Sequence, residues 1–212
     1  YDDVMNKHRE IIYARRLKIL QSDDLKNDVV ELMKKEAEDI VKARTSGQSH
    51  ADWDFEGIAS AVNALLPHET NDVDVQDFEK LDNPEDIIEF ITNVFNTEHR
   101  NKEKVLPDPN FLRSVEKNIL LRVVDSLWME HIDAMSNLRD SVSLRGYAQR
   151  DPLIEYKHDA YIMFTKLLAS IQHNVINTLF KVQINIEAPA RTLPKSQIDP
   201  EKLQTNEASI EG

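Results

Sequence analysis

Glu130 and His131 stand side by side in a stretch with helical spacing, which is half of the pair that a helical zinc protease uses. Such a site needs a second histidine four residues away, and positions 127 and 135 are Leu and Met. His131 lies on the apolar side of its segment, so it is expected to be a packed histidine with a hydrogen-bonded ring nitrogen. The pairs Asp125/Glu130 and Glu155/Asp159 could in principle join an acid to a base. Carboxylates this common on helices belong to solvated faces, and no catalytic residue is assigned to them. No cysteine is present, which excludes disulfides and thiolate metal ligands, and no metal site is assigned. Glycine occurs only at positions 47, 57, 146 and 212, so no glycine-rich phosphate loop can be built. The chain itself is therefore expected to bind no cofactor and to be no enzyme.

One cluster is suited to contact rather than catalysis. Arg145, Tyr147 and Arg150 flank Gly146, Ala148 and Gln149 between two long periodic segments. Tyrosine offers a flat apolar face with a hydroxyl, and two cations beside it form a tip able to grip varied polypeptide. The competing reading, Tyr147 folded back on the helices, is the one composition alone favours.

The elements that must present this tip follow from periodicity. Leu120, Val124, Leu127, His131, Met135, Leu138 and Val142 step by four, three, four, four, three and four, which predicts a helix over about 111–142. The pattern resumes after Asp151-Pro152, a cap and first-turn pair, through Tyr156, Ala160, Phe164, Leu167, Ile171, Val175, Leu179 and Val182. Two long helices joined by a short loop must lie antiparallel, with their stripes facing. Upstream, residues 1–20 read as a helix with Val4, Ile11, Ile12, Ile19 and Leu20 apolar. Ser22-Asp23-Asp24 is a break or a fresh N-cap, and a second helix runs through Val29, Leu32, Met33, Ala37, Ile40 and Val41 to a stop at Thr45-Ser46-Gly47. Residues 48–108 read as a small acidic domain of short helices. Trp53, Phe55, Phe78, Phe90 and Phe95 form its core, and Asn83-Pro84-Glu85-Asp86 is a strong helix start. Three prolines and little apolar content predict an extended or disordered tail over 185–212.

The 212 residues thus read as all-α: long scaffold helices, an antiparallel two-helix hairpin and a small helical domain. A formal net charge of -12 argues against a nucleic-acid partner, which needs a basic stripe. No apolar run approaches the ~20 residues that span a bilayer. The start at Tyr1, without methionine and directly in helical periodicity, suggests a fragment.

The run Leu127-Trp128-Met129-Glu130-His131-Ile132-Asp133-Ala134-Met135, then Leu138-Arg139 and Leu144-Arg145-Gly146-Tyr147-Ala148-Gln149-Arg150-Asp151-Pro152 with Glu155-Tyr156-Lys157, closely resembles the two-helix finger of the SecA family of preprotein translocase motors. Tyr1-Asp2-Asp3-Val4 with Arg9-Glu10-Ile11-Ile12-Tyr13 resembles the start of the long scaffold helix of that family, and Leu179-Lys181-Val182-Gln183 fits the end of the finger. The resemblance implies a helical scaffold at 1–47 and 109–184 with a helical wing at 48–108. It implies partners as well: the SecYEG channel, an unfolded preprotein, and the nucleotide-binding and preprotein-binding domains of the same protein. ATP and magnesium would belong to that parent, which is expected to be an ATP-hydrolysing translocase, cytoplasmic and peripherally attached to the inner membrane. The finger would set Tyr147, Arg145 and Arg150 against the moving chain and restrain ATP hydrolysis until the channel engages. The zinc-binding cysteine cluster found in many members is absent from this sequence. The alternatives are a free-standing helical adaptor and an enzyme with an unrecognised site in a helical bundle.

Overall fold

The computed structural model describes residues 1–47, 49–67, 72–106, 108–145 and 151–183, with side chains 109 and 143–145 left aside. Among the described residues there are seven α-helices, a single 3-10 turn at His50–Asp52 and no strand. Tyr1–Val182 form one compact unit; the tail expected over 185–212 lies outside the described residues.

Helix α1 (Asp2–Gln21) carries Asp2 and Asp3 in its first turn and Lys18 in its last, charges that complement the helix dipole. The expected interruption at Ser22-Asp23-Asp24 is a break and not an N-cap, since Leu25 holds the cap position of the next helix without a side-chain capping bond. The Ser22 hydroxyl donates to the Asp24 carbonyl, and the Lys26 N–H donates to an Asp24 carboxylate oxygen at 2.8 Å, which turns the chain into α2 (Lys26–Lys42). A lysine from far along the chain finishes α1: Lys117 Nζ donates to the carbonyls of Leu20 and Ser22 at 2.8 and 3.1 Å. Gly47 does not end α2. The helix closes at Lys42, where the Arg44 and Thr45 N–H groups both reach the Val41 carbonyl. The glycine's role is steric, because a Cβ there would stand 3.0 Å from that of Asp52.

The acidic middle is built from capped helices. Asp54 caps α3 (Phe55–Leu65) on the Gly57 N–H, and Asp74 with Asp77 makes a reciprocal capping box for α4 (Val75–Glu79). Asn63 ties the two together. Its amide donates to the Val73 carbonyl at 3.0 Å and accepts from the Val73 N–H at 2.9 Å. Asn83 caps α5 (Pro84–Val105) as its sequence announces. That helix is 22 residues long, so the expectation of short helices throughout this segment is wrong for α5. The stripe Ile87, Ile91 and Phe95 is fully buried, and α5 packs along α2. A helix with one continuous apolar stripe and a long partner, here the 17 residues of α2, has no reason to stop early.

Helices α6 (Pro109–Arg145, 37 residues) and α7 (Pro152–Lys181, 30 residues) dominate the fold. At 1.5 Å per residue α6 is about 55 Å long, a few residues longer at each end than the expected 111–142. Pro109 serves as its first residue, where a missing N–H costs nothing.

Candidate functional site

The hairpin is built as its stripes require. Leu120, Val124, His131, Met135 and Val142 are buried on α6, with Leu127 and Leu138 half-buried. All six expected positions of α7 from Tyr156 to Val175, together with Leu179, are buried, and Val182 is half-buried. The start of α7 is fixed by the Asp151 carboxylate, which accepts from the Leu153 N–H at 2.9 Å, with Pro152 in the first turn. Arg145 is the last residue of α6. Gly146, Tyr147, Ala148, Gln149 and Arg150 lie outside the described residues, so their contacts remain expectations.

A third helix braces the pair. Helix α1 runs antiparallel to α6 along the hairpin, with successive contacts at Tyr1–Tyr156 (ring centroids 4.5 Å, edge-on), His8–His131, Arg16–Asp125 and Leu20–Lys117. Arg16 Nε and Nη2 donate to the two Asp125 oxygens at 2.9 and 3.4 Å. Asp125, weighed in the sequence as half of an acid–base pair with Glu130, thus holds a guanidinium, and Glu130 faces solvent.

The midpoint of the brace is a histidine pair. His8 Nδ1 and His131 Nε2 share a hydrogen bond at 3.1 Å, His8 stacks on Phe164 with centroids 4.1 Å apart, and His131 stacks on Trp128 at 5.6 Å. His131 is the packed, hydrogen-bonded histidine that its position on the apolar face implied. Its partner went unnoticed in the sequence, although Val4, His8, Ile12 and Ile19 form one stripe, and that spacing is the signal that would have found it. Burial lowers the pKa of His131 to about 4, helped by the neighbouring His8, and burial lowers that of His8 as well. Both rings are neutral near pH 7. The folded state binds fewer protons than the unfolded one below pH 6.5, so the stability tied to His131 is complete above that value and is lost as the pH falls towards 4. The expected loss is about 3 kcal/mol. Urea denaturation at pH 7.5 and pH 4.5 checks it, and the acid-induced loss should shrink in His131→Gln.

Two further polar clusters lock the hairpin to its neighbours. On α7, Gln172 Nε2 donates to Glu36 and Asp39 of α2, both at 2.9 Å, and His173 Nδ1 lies 2.7 Å from Glu36. Near the base, His99 and Glu103 of α5 meet Arg113 and Glu116 of α6. None of these residues was singled out in the sequence.

On the outer side of the brace, α1 and α6 leave an apolar groove of about 560 Å³, lined by Tyr13, Leu17, Leu20, Trp128 and Met129 with the Arg16–Asp125 pair at its edge. Leu20 and Ile11, expected among the apolar contacts of α1, are both more exposed than buried-face residues; Leu20 lines this groove instead of the core. Among the described residues no group of three or more His, Asp or Glu is placed to hold a metal ion, and no helix is long and apolar enough to cross a membrane.

Comparison with known proteins fits this architecture. The family model described as the SecA wing and scaffold domain matches residues 1–183. A protein translocase subunit SecA from Acetivibrio thermocellus is 40% identical over 187 residues, covering 87% of this chain and 20% of that protein. One from Dehalococcoides mccartyi is 37% identical over 189 residues, covering 88% of this chain and 19% of that protein. The chain thus spans about a fifth of the length of these relatives. A three-helix brace, a small helical unit between its strands of sequence and a match over nearly all the described residues lead to one assignment: the chain belongs to the SecA family, as its wing and scaffold domain.

Proposed function

We propose that this chain is the mechanical part of a preprotein translocase, which couples ATP-hydrolysing domains elsewhere in the same protein to a finger that contacts the exported polypeptide. The observation that carries the reading is the match over residues 1–183 to the SecA wing and scaffold, on a long two-helix hairpin. The α6–α7 pair shares a buried stripe along most of its length and is braced by α1, so a displacement at its base is transmitted to its tip. In this reading residues 1–47 and 109–184 are scaffold and 48–108 are the wing. Arg145, Tyr147 and Arg150 meet the unfolded preprotein in the mouth of the SecYEG channel, with Gly146, Ala148 and Gln149 forming the loop. ATP and magnesium bind the nucleotide-binding domains of the longer protein, which works on the cytoplasmic side of the membrane as a peripheral protein. In the same reading the scaffold restrains ATP hydrolysis through its contacts with those domains.

The test places a single cysteine at Tyr147→Cys in the full-length protein, other cysteines removed, and stalls a preprotein in the channel. A crosslink is expected at 147 and not at Thr178→Cys, an exposed position of α7 at the far end of the hairpin. Crosslinking at neither site in an actively translocating complex would make the hairpin scaffold alone.

A further inference from the structure

The buried apolar residues of the hairpin do not form one continuous core. The main cluster runs from α2, α3 and α5 across α6 and α7 as far as Trp128 and Phe164. A second, small cluster occupies the distal hairpin and consists of Met135, Val142, Tyr156 and Ala160, with Val4, Met5, Leu138 and Met163 packed around it. Between the two lies the layer in which His8, His131 and Phe164 meet. Met5 of α1 packs against both clusters.

We infer that the His8–His131 layer is a built-in joint, at which the distal hairpin and the first turns of α1 open as a unit while the rest of the domain stays folded. Local stability follows the apolar surface that a segment buries, and the distal cluster has four buried side chains to hold three helix ends together. At the layer itself two polar rings are taken out of water in exchange for one shared hydrogen bond, which contributes little net stability compared with an apolar layer. Helices α6 and α7 continue unbroken through this level, so the opening is a splaying of the arms and not a break in either helix.

The surroundings make the joint sensitive to acid. On α1, α6 and α7 the positions one turn to either side of His8, His131 and Phe164 carry no charged side chain, and Tyr161 is the one titratable group among them. On α1, Lys7 and Glu10 are exposed and pair with each other at 3.2 Å. On α6, Glu130 and Asp133 are exposed, and the Arg16–Asp125 pair is closed on itself. An imidazolium formed at the layer therefore meets no carboxylate there, and protonation favours the opened state, in which the ring is hydrated. The joint is a property of the fold and stands apart from the proposed translocase role: hydrogen exchange on the full chain, without channel or substrate, tests it alone.

Exchange followed by mass spectrometry should show peptides from 132–142 and 153–163 exchanging at least tenfold faster than those from 115–128 and 166–180 at pH 7.5. After correction for the intrinsic pH dependence of exchange, moving to pH 5.5 should raise distal opening about tenfold further, the factor that one histidine shifted from 6.5 to about 4 gives. The double variant His8→Leu/His131→Leu joins the two apolar clusters and should slow the distal peptides and remove the acid effect. His131→Gln keeps a hydrogen-bonding side chain of similar size, which covers the case in which the double variant does not fold. It should retain the rate difference at pH 7.5 and lose most of the acid acceleration. Distal and proximal peptides exchanging at one rate, or an acid acceleration undiminished in His131→Gln, would overturn the inference.

Discussion

Replacing Glu116 with alanine is expected to destabilise the fold by about 3–5 kcal/mol, the usual consequence of removing one partner from a buried ionic network. The Glu116 side chain is 0% exposed. One of its oxygens lies 2.6 Å from His99 Nε2 and the other accepts from Arg113 Nη1 at 2.6 Å. Arg113, 11% exposed, also donates to Glu103 at 2.6 Å, and Glu103 in turn accepts from Lys26 at 3.0 Å. The hydrogen bond from Lys26, with that from Arg113 behind it, holds the Glu103 carboxyl below its ordinary pKa. Loss of Glu116 would leave Arg113 under-compensated and His99, nearly inaccessible, without its acceptor. Removing the whole buried core of the network in His99→Leu/Arg113→Met/Glu116→Leu should recover most of that stability, because apolar side chains need no partner. Urea denaturation of the two variants separates these effects. Equal losses in both would show that packing volume, not the stranded charge, sets the cost.

Phe180→Ala should cost a similar ~3–5 kcal/mol, through lost transfer energy and the cavity left behind. Phe180 is fully buried near the end of α7, and its ring meets that of Phe95 on α5 with centroids 5.4 Å apart and planes tilted by 49°. The pair therefore joins the small helical unit to the long hairpin. In a double-mutant cycle with Phe95→Ala the two rings should be coupled by roughly 0.5–1.5 kcal/mol. Phe111→Ala, on an exposed position of α6, is the size-matched control and should change stability by under ~1 kcal/mol. Thermal and urea unfolding of the four proteins give the cycle directly. Additive losses would mean that the rings contribute burial alone.

Which parts of this architecture were legible in advance depended on how local their physics is. Helix starts were readable because a cap is a contact between residues two or three apart, as at Asn83 with Asp86 and at Asp151 with Leu153. The hairpin was readable because a 3.6-residue stripe records which face is buried, and a short connection then leaves an antiparallel pair as the arrangement. Stripe spacing and length are separate matters, however: α5 runs to 22 residues where short helices were expected, because its partner α2 lets the stripe continue. Gly47 shows the reverse error, since a glycine near a helix end can be there for the approach of Asp52 and not for a left-handed cap.

The site followed the same division. His131 was assigned to the core by its place in the stripe, and the structure puts it there. The ring that holds it is 123 residues away on α1, and no spacing rule connects them. Likewise the carboxylate of Glu116 lies on the buried side of α6 in a pattern that reads as apolar, and its partners come from α5 and from its own helix. The sequence by itself determined the helical class, the caps at Asn83 and Asp151, the hairpin and, through the long motif around Gly146, the family. Only the tertiary structure decided that α1 lies against the hairpin, that its core is cut by a histidine layer, and that α5 is fastened to α6 by a buried cluster of ionic side chains. Local backbone and side-chain preferences act over a few residues and are written in order along the chain. Pairings of buried polar groups depend on which distant faces meet, and that is settled when the helices pack.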